Sequence, residues 1–477
     1  MSVPLTQLPP LHALDLPDPG PPRPTTLRDG TPAWLVTRYH DARQVLTDPR
    51  FRRTRPPGGA GGGGAAGEDA DVPGVAGGSD GGGAALRGVV GGSDGEGAAV
   101  RGIVGGSDGR GAAGGGVVGG SDGRGAAVRG IVGGSVPGEG ALGGAGGGAR
   151  PDGALNVSTD PASVYNQDGT DHQRLRRTAQ GAFTPRAVAQ WRPWVETVVG
   201  RLLDDLVAAG PPADLVADLT SVLPFAVTSR LMGLDGLGRE RLQQWAHCLT
   251  ADATVPAEQV AAGQQEFAAF AATLLADRRR RPGEDLVSRL VQAADRAGGI
   301  PEEQLTYLVG GLAASGSDSV AGALANSLLY LLTERPDAWP RLAEEEPARH
   351  ATEWLLHHIQ VGDDEFTTRH AVDTAEIAGV RIPAGSTVAV CLGSANRDPA
   401  LFPASPDLFA PLPAPTLAFG AGPHHCLGTW LARTQIHTAL HRLATRLPTL
   451  HLATPTAPTQ WRLGATTRSP RTLRVTW

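Results

Sequence analysis

The segment from Phe419 to Gly428 reads Phe-Gly-Ala-Gly-Pro-His-His-Cys-Leu-Gly and places one cysteine in a glycine-rich turn before an amphipathic helix. Gly420 and Gly422 let the backbone turn where side chains would collide with a large planar ligand, because glycine reaches positive φ without steric cost. Cys426 would lie at the start of the helix, where free N–H groups and the helix dipole favour a thiolate. A thiolate in this position can be an axial ligand of haem iron.

Other interpretations of this loop are less favoured. A cysteine is most often a small buried apolar residue, and we expect Cys248 and Cys391 to be of that kind. Zinc bound by His424, His425 and Cys426 is disfavoured, because a structural site needs four ligands and the sequence has no second Cys/His cluster. A dinucleotide-binding loop is disfavoured too, since His425 occupies the position of the third glycine.

A second segment with reactive side chains lies inside a long predicted helix, from Pro301 to Glu334. Proline suits the first turn of a helix, and the two glutamates that follow it favour the helix dipole. The middle of the helix, from Ser315 to Ser319, reads Ser-Gly-Ser-Asp-Ser and combines small residues with one acid followed by one alcohol. Taken alone, this stretch could also be a helix kink with a solvated aspartate.

The cysteine loop fits the pattern F-G-x-G-x-H-x-C-x-G at every defined position. In this it resembles the proximal loop of the cytochrome P450 family. The resemblance implies that Phe419, Gly420, His424, Cys426 and Gly428 bind the haem, with Cys426 as the ligand of its iron.

The central helix resembles the same family. Gly316, Asp318 and Ser319 fall where the family has a glycine, an acid and a threonine that faces bound dioxygen. The resemblance implies that Gly316 borders the cofactor and that Asp318 and Ser319 relay protons. Serine keeps the hydroxyl group but lacks the methyl group that stiffens threonine, so we expect an active site with more leakage.

The resemblance also supplies candidate ligands for the haem carboxylates. His172 and Arg176 lie four residues apart, share a helix face and match the family's H-x-x-x-R segment. Arg369 matches the strand arginine that meets a propionate, and His424 lies in the cysteine loop. Arginine offers a bidentate fork to a carboxylate, which makes such contacts both strong and orienting.

One departure from the family is large, because its Glu-x-x-Arg motif is missing. Trp354 stands where the glutamate belongs, His357 where the arginine belongs, and Glu353 lies one position early. The arginine that completes the family's ion network has become Leu408. Losing one member of a buried network costs about 3 to 5 kcal/mol, whereas packed neutral groups in every position can be neutral. The loss of all three charges therefore predicts repacking.

The elements that must position these residues are mostly helical. Apolar residues recur at helical intervals from Val188 to Val207 and from Gln264 to Arg281. Short strands are predicted at Ala33 to Val36, Ala375 to Ile377 and Thr387 to Cys391. We expect a mainly α protein with a small β portion, and the resemblance implies the single-domain cytochrome P450 fold.

Residues 57–150 differ from the rest of the chain. They contain a 14-residue repeat close to R-G-V-V-G-G-S-D-G-R-G-A-A-V. Glycine and alanine cannot bury enough apolar surface to offset the entropy of ordering. A solenoid is disfavoured because each unit is broken by glycines. We expect a disordered insert in a haem domain formed by residues 1–56 and 151–477.

Composition excludes several classes of partner and compartment. The net charge is −6 and the chain has no lysine, so it offers no basic stripe for nucleic acid. Three cysteines without a pattern predict a reducing cytosol, and Met1 to Gly30 resembles neither a signal peptide nor an anchor. Leu308 to Leu332 is long enough to span a membrane, but Asp318 within it makes insertion costly. We expect a cytoplasmic protein with no membrane partner.

The resemblance implies a bacterial haem-thiolate monooxygenase of actinobacterial type that uses haem b (iron protoporphyrin IX). It would insert one oxygen atom from dioxygen into a small organic substrate, such as a secondary metabolite. Electrons would come from NAD(P)H through a reductase and a ferredoxin or flavodoxin, because the chain has no second nucleotide-binding module. Two alternatives remain open: a haem-binding or interaction protein without monooxygenase activity, and a haem-thiolate enzyme that rearranges or dehydrates its substrate without dioxygen.

Overall fold

The computed structural model describes residues 16–27, 30–55, 157, 160–234, 236–250, 255–296, 299–359, 361, 367–403, 407–454, 459–462 and 467–477. The repeat segment predicted as a disordered insert lies outside the described residues. Most described residues are helical. The α-helices of this part are α1 (Tyr39–Thr47), α2 (Gly169–Gln180), α3 (Pro185–Ala189), α4 (Arg192–Ala209), α5 (Val222–Met232), α6 (Arg239–Leu249), α7 (Ala257–Arg280), α8 (Leu286–Arg296), α9 (Glu302–Thr333), α10 (Glu345–His358), α11 (Leu392–Ala395) and α12 (Thr429–Arg446).

Short strands form three small sheets. They are β1 (Arg23–Thr26), β2 (Pro32–Val36), β3 (Phe51–Arg52), β4 (Ala213–Asp214), β5 (Arg369–Ala371), β6 (Ala375–Ile377), β7 (Val380–Ile382), β8 (Thr387–Val390), β9 (His451–Leu452) and β10 (Arg474–Thr476). The largest sheet has five strands in the order β1-β2-β8-β5-β3, and only β2 and β8 run parallel in it. The other sheets are β4-β10-β9 and β6-β7. The expectation of a mainly α fold with a small β portion is confirmed.

Element positions agree with the sequence patterns except in one helix. The long helix predicted from Pro301 to Glu334 is α9, and the three predicted strands are β2, β6 and β8. The helix predicted from Val188 to Val207 is broken, because α3 ends at Ala189 and α4 begins at Arg192. Proline follows at once in the first turn of α4, where its missing N–H is tolerated.

Helix α9 runs through the main core and packs against α5, α6, α7 and α12. Two of its glycines allow close approach of neighbouring helices. A Cβ on Gly310 would lie 2.9 Å from Cε1 of Phe267 on α7, and one on Gly316 would lie 3.2 Å from Oγ1 of Thr228 on α5. Packing between helices thus accounts for Gly316, which was predicted to border the cofactor.

The sequence of α9 includes the apolar stretch from Leu308 to Leu332, which is long enough to span a membrane. None of the helices among the described residues combines the length and the apolar character that a membrane crossing needs.

The positions of the family's missing ion network are filled by buried neutral side chains. The Trp354 ring stacks on His358 with centroids 4.4 Å apart, and the His357 ring lies 4.4 Å from that of Phe402. Leu408 is fully buried in the main core. Burial lowers the pKa of His357 to about 4, so this histidine is uncharged at neutral pH. The repacking predicted from the sequence is what the structure has at these three positions.

The buried His357 predicts a loss of stability in mild acid. Its pKa is lowered from 6.5 to about 4 in the folded protein, so its contribution to stability is present above pH 6.5 and is lost as the pH falls toward 4. The slope is at most about 1.4 kcal/mol per pH unit for one histidine. We expect His357→Phe to flatten the decline of the unfolding free energy over this range, measured by urea unfolding. An unchanged slope would contradict this assignment.

Helix packing predicts opposite effects on stability for two glycine-to-alanine substitutions, one in α9 and one in α4. Gly310→Ala should lower the free energy of unfolding by about 1 to 3 kcal/mol, because the new methyl group would crowd a buried phenylalanine. Gly200→Ala is the matched control, since a Cβ at this position of α4 would meet nothing within 4 Å. It should raise the free energy of unfolding by roughly 0.5 to 1 kcal/mol. Urea unfolding of both variants measures the difference, and a stabilised Gly310→Ala protein would refute the packing argument.

Candidate active site

The cysteine loop is fixed by backbone geometry. Gly420 and Gly422 have φ of 68° and 70°, in the region that favours glycine. A Cβ on Gly422 would also collide with the carbonyl oxygen of Leu46 at the end of α1. The N–H of Cys426 donates to the carbonyl oxygen of Phe419 at 2.9 Å. The loop therefore presents Cys426 just before α12 in a single backbone arrangement.

The surroundings of Cys426 act on its thiol in opposite directions. The side chain keeps accessible surface, yet the protein atoms around it exclude enough water to raise the pKa of the thiol. A hydrogen bond from the Gly428 N–H, the Thr429 hydroxyl group and the charges of Arg176 and Arg433 lower the pKa but do not offset burial. The expectation that the start of a helix favours the thiolate is thus outweighed here, although a coordinated metal ion would remove the proton outright.

Two predicted histidines lie in contact beside the loop. The ring centroids of His172 and His424 are 4.1 Å apart. His172 is 2% exposed, and its Nδ1 has no hydrogen-bond partner among the described residues. Burial, followed by the charges of His424 and Arg176, lowers the pKa of His172 to about 4. The site therefore contains a buried polar atom that is available to a ligand.

The two predicted arginines are buried in the same region. Arg369 is 5% exposed and donates through Nη1 to the carbonyl oxygens of Thr368 at 3.0 Å and Thr367 at 3.3 Å. Burial lowers its pKa to about 9. Arg176 donates through Nη2 to the carbonyl oxygen of His425, and burial lowers its pKa as well. Neither guanidinium has a carboxylate among these contacts.

Sequence reasoning missed two charged residues of this site, Arg53 and Asp168. Arg53 Nη1 donates to the carbonyl oxygen of Thr368 at 3.2 Å, and its pKa is lowered by burial. One Asp168 oxygen accepts from the N–H groups of Arg53 and Thr54, and the other lies 3.2 Å from Nε2 of His424. Burial acts to raise the pKa of Asp168, but the hydrogen bonds from His424 and Thr54 lower it to about 2. Neither residue belongs to a local motif that could have marked it.

The donor set fits a ligand with more than one negative charge. Burial lowers the pKa of Arg53, Arg176 and Arg369, and the charge of Asp168 acts on Arg53 and Arg369 but not on Arg176. Buried cations are costly unless an anion pairs with them. The unpartnered nitrogen of His172 adds a further polar group. The two propionates of a haem would supply the missing negative charge.

Hydroxyl groups of α9 face the same region. The Ser319 hydroxyl donates to the carbonyl oxygen of Ser315 at 2.7 Å, and Tyr165 donates to the Ser315 hydroxyl at 2.7 Å. Burial raises the pKa of Tyr165 to about 12, and the charges of Cys426 and Arg176 also act on it. Tyr165 therefore lies between α9 and the cysteine loop. It was not predicted, because it belongs to no recognised motif.

Asp318 is held away from Ser319. Its carboxylate accepts from Arg462 Nη1 at 3.0 Å and from the Thr467 hydroxyl at 2.7 Å, both near the C-terminal end of the chain. Within the part of the chain that the structure describes, Asp318 and Ser319 share no hydrogen bond. The two predicted relay residues are adjacent in sequence but have separate partners.

The sequence disfavours a zinc site in the cysteine loop. Among the described residues, no group of three or more His, Cys, Asp or Glu side chains is arranged to hold a metal ion.

A family model and the sequence relatives of this chain indicate the same family. The family model described as Cytochrome P450 matches residues 364–448. Nocardicin C N-oxygenase of Nocardia uniformis subsp. tsuyamanensis is 38% identical over 318 residues, which are 66% of this chain and 79% of the relative. Mycinamicin IV hydroxylase/epoxidase of Micromonospora griseorubida is 35% identical over 316 residues, with the same two shares of 66% and 79%.

Solved structures agree with these relatives. The LnmA cytochrome P450 hydroxylase from the leinamycin biosynthetic pathway of Streptomyces atroolivaceus S-140 has a TM-score of 0.70 and 26% sequence identity, covering 96% of this chain and 93% of its own. HinD, solved with NMFT and NO, has a TM-score of 0.68 and 31% identity, covering 94% and 90%. The sequence relatives, the shared fold and the cysteine loop agree, and the chain belongs to the cytochrome P450 family.

Proposed function

We propose that Cys426 is the iron ligand of a haem monooxygenase that oxidises a secondary metabolite. The observation that carries this proposal is the convergence of three sets of groups on one site. Tyr165 joins them: its hydroxyl donates to the Ser315 hydroxyl of α9 at 2.7 Å, its carbonyl oxygen accepts from Arg53 Nε at 3.0 Å, and the charges of Arg176 and Cys426 act on it. A thiolate, an anion-binding cluster and proton-carrying hydroxyls are the groups that such an enzyme requires.

Haem is the cofactor of this family and of this chain. When bound, it supplies the activation of dioxygen, which a cysteine thiolate ligand promotes by favouring O–O cleavage. The residues proposed to hold its propionates are His172, Arg176, Arg369 and His424, together with Arg53. Asp168 orients His424 through their hydrogen bond. Phe419, Gly420 and Gly428 shape the loop that carries the sulfur, and Gly316 keeps α9 close to α5.

Two hydroxyl groups are proposed to handle protons on the α9 side. Ser319 and Tyr165 are linked through Ser315, whose carbonyl oxygen and hydroxyl group accept their hydrogen bonds. Asp318 is proposed to exchange protons with solvent, because its side chain is 21% exposed. It must leave Arg462 or Thr467 to reach Ser319. Proton delivery through Asp318 therefore needs a rearrangement of the C-terminal segment.

Bacterial cytochromes P450 act on small organic molecules and use redox partners. We propose a ferredoxin or flavodoxin reduced by an NAD(P)H-dependent reductase. A cavity of about 840 Å³ lies beside the cysteine loop, and Arg192, Arg349, Arg433 and Trp430 line it. Each of these arginines pairs with a glutamate, so an electron carrier would meet a surface of mixed charge there.

The substrate class and the compartment are proposed from other observations. Two relatives are named for oxidations of nocardicin C and mycinamicin IV, which supports a secondary metabolite as the substrate. Among the described residues, Cys248, Cys391 and Cys426 form no disulfide, which suits the reducing cytoplasm.

The proposed ligand predicts the outcome of a cysteine exchange. Cys426→Ser should abolish the thiolate signature in the carbon monoxide difference spectrum of the reduced protein, because serine offers no thiolate to the iron. Cys391→Ser is the matched control, since Cys391 likewise forms no disulfide and is buried outside the site. The control should keep the parent spectrum. A thiolate signature that survives Cys426→Ser would refute the proposed function, and stable haem without oxidation of any substrate would favour the non-enzymatic alternative.

Hydrogen bonds between residues that precede the repeat segment and a residue that follows it predict that the segment can be removed. Arg53 and Thr54 precede the segment, and both donate backbone N–H groups to Asp168, which follows it, at 2.9 and 3.1 Å. Deletion of residues 60–148 should therefore leave the haem spectrum unchanged while altering substrate access. Deletion of residues 101–114 alone, one repeat unit, serves as the control for chain length. Loss of haem in the longer deletion alone would show that the segment contributes to the haem domain.

A further inference from the structure

Arg433, on the second turn of α12, makes a bidentate ion pair with Glu353 of α10. Its Nε donates to Glu353 Oε1 at 2.6 Å, and its Nη2 donates to Oε2 at 2.9 Å. The two side chains are 20% and 30% exposed, so the pair is partly shielded from water. Bidentate pairs of arginine and carboxylate fix orientation as well as adding energy. The pair joins the helix before the sheet to the helix that begins at the cysteine loop.

The same guanidinium lies against the start of the cysteine loop. It stands over the Phe419 ring at 4.7 Å from the centroid and over the Trp430 ring at 5.4 Å. Such stacking attracts a cation to the face of an aromatic ring. Phe419 also supplies the carbonyl oxygen that accepts the N–H of Cys426. Arg433 thus holds the residue that fixes the backbone of Cys426.

The positions of the family's Glu-x-x-Arg pair offer no charge for this task. Trp354 and His357 occupy them, and the end of α10 is bound through its carbonyl oxygens, with Arg397 Nη2 donating to that of His358 at 3.1 Å. The carbonyl oxygen of His357 accepts from Asn396 Nδ2 at 3.1 Å, and Asn396 Oδ1 accepts from the Leu417 N–H at 2.9 Å. Glu353 is one residue before the expected glutamate, and its partner is on α12.

We propose that Glu353 and Arg433 form a clamp that positions the cysteine loop, in place of the missing Glu-x-x-Arg pair. The clamp rests on the proposed function, because it acts through the bond between Cys426 and iron. Glu353 and Arg433 are positioning residues and touch no reacting atom. Glu353 holds the guanidinium, the guanidinium holds Phe419, and Phe419 fixes the N–H of Cys426. A loop released from the clamp would hold the sulfur of Cys426 less firmly, and the optical spectrum of the haem-loaded protein would report the difference.

The clamp can be tested on the haem-loaded, full-length protein. The variants are Glu353→Gln, Arg433→Gln, Arg433→Lys and the double variant Glu353→Gln/Arg433→Gln. Arg442→Gln is the matched control, because Arg442 lies on the same helix and pairs with Glu196 at 3.2 Å on the surface. The readout is the rate at which the carbon monoxide complex of the reduced protein changes from the thiolate to the thiol spectrum on mild warming. Haem content and far-ultraviolet circular dichroism are measured alongside.

We expect Glu353→Gln and Arg433→Gln to accelerate this change about tenfold, the effect of losing one charge-assisted contact. The double variant should be no faster than Arg433→Gln, since either change breaks the same contact. Arg433→Lys keeps the charge but loses the planar fork, so its rate should be intermediate. Arg442→Gln should match the parent.

Other outcomes would overturn the clamp. If Arg433→Gln yields no folded protein, Glu353→Gln and Arg433→Lys carry the test, and parental rates in both refute the clamp. Equal acceleration in Arg442→Gln would refute it as well, because the effect would then be general to α12. A parent protein without the thiolate spectrum would refute the proposed function and the clamp together. A parent with that spectrum and unaffected variants would refute the clamp alone.

Discussion

Burial of positive charge beside Cys426 is the constraint on which the site depends. Burial lowers the pKa of Arg53, Arg176 and Arg369, and Asp168 is the carboxylate that acts on Arg53 and Arg369. Buried ions cost several kcal/mol each unless counter-charges are close and hydrogen bonds are complete. The carbonyl oxygens of Thr367 and Thr368 offset part of this cost by accepting hydrogen bonds from the buried guanidinium groups. In the proposed function a dianionic cofactor would offset the rest, and haem binding and stability of this region would then be linked.

Strand pairing produces this concentration of charge. In the antiparallel pairing of β3 with β5, Phe51 faces Ala371 and Arg52 faces His370. The same register continued by one residue sets Arg53 opposite Arg369. Like charges on facing positions repel each other, and Asp168 partly offsets the repulsion by its position beside both. The facing arginines thus lower the stability of the sheet and at the same time form an anion-binding surface.

Local motifs made much of the fold and part of the site predictable. The glycine turn before Cys426, the uninterrupted α9, and the pair His172 and Arg176 each lie within one continuous segment, where spacing fixes geometry. Arg53 could not be predicted, because its partner Thr368 is 315 positions away in sequence and the two meet only through tertiary packing. Tyr165 and the partners of Asp318 likewise depend on how distant segments pack.

The departure from the family motif shows the same limit. The sequence showed that the charges at Trp354, His357 and Leu408 were gone, and neutral packing could be predicted from their joint loss. It did not show that Glu353 would pair with Arg433, since residues on two different helices meet only through tertiary packing. The break between α3 and α4 was missed for another reason, because the apolar period continues across it and only Pro193 marks the restart.

The order of the strands in the largest sheet has a consequence for chain connectivity. β1, β2 and β3 precede the repeat segment, whereas β5 and β8 follow it by more than two hundred positions. The parallel pairing of β2 with β8 and the antiparallel pairing of β3 with β5 join the part of the chain before the repeat segment to the part after it. A polypeptide cut between residues 57 and 150 would therefore still have a complete set of strand partners. The two fragments of such a chain would each supply strands to the largest sheet, and Arg53 would belong to the amino-terminal fragment.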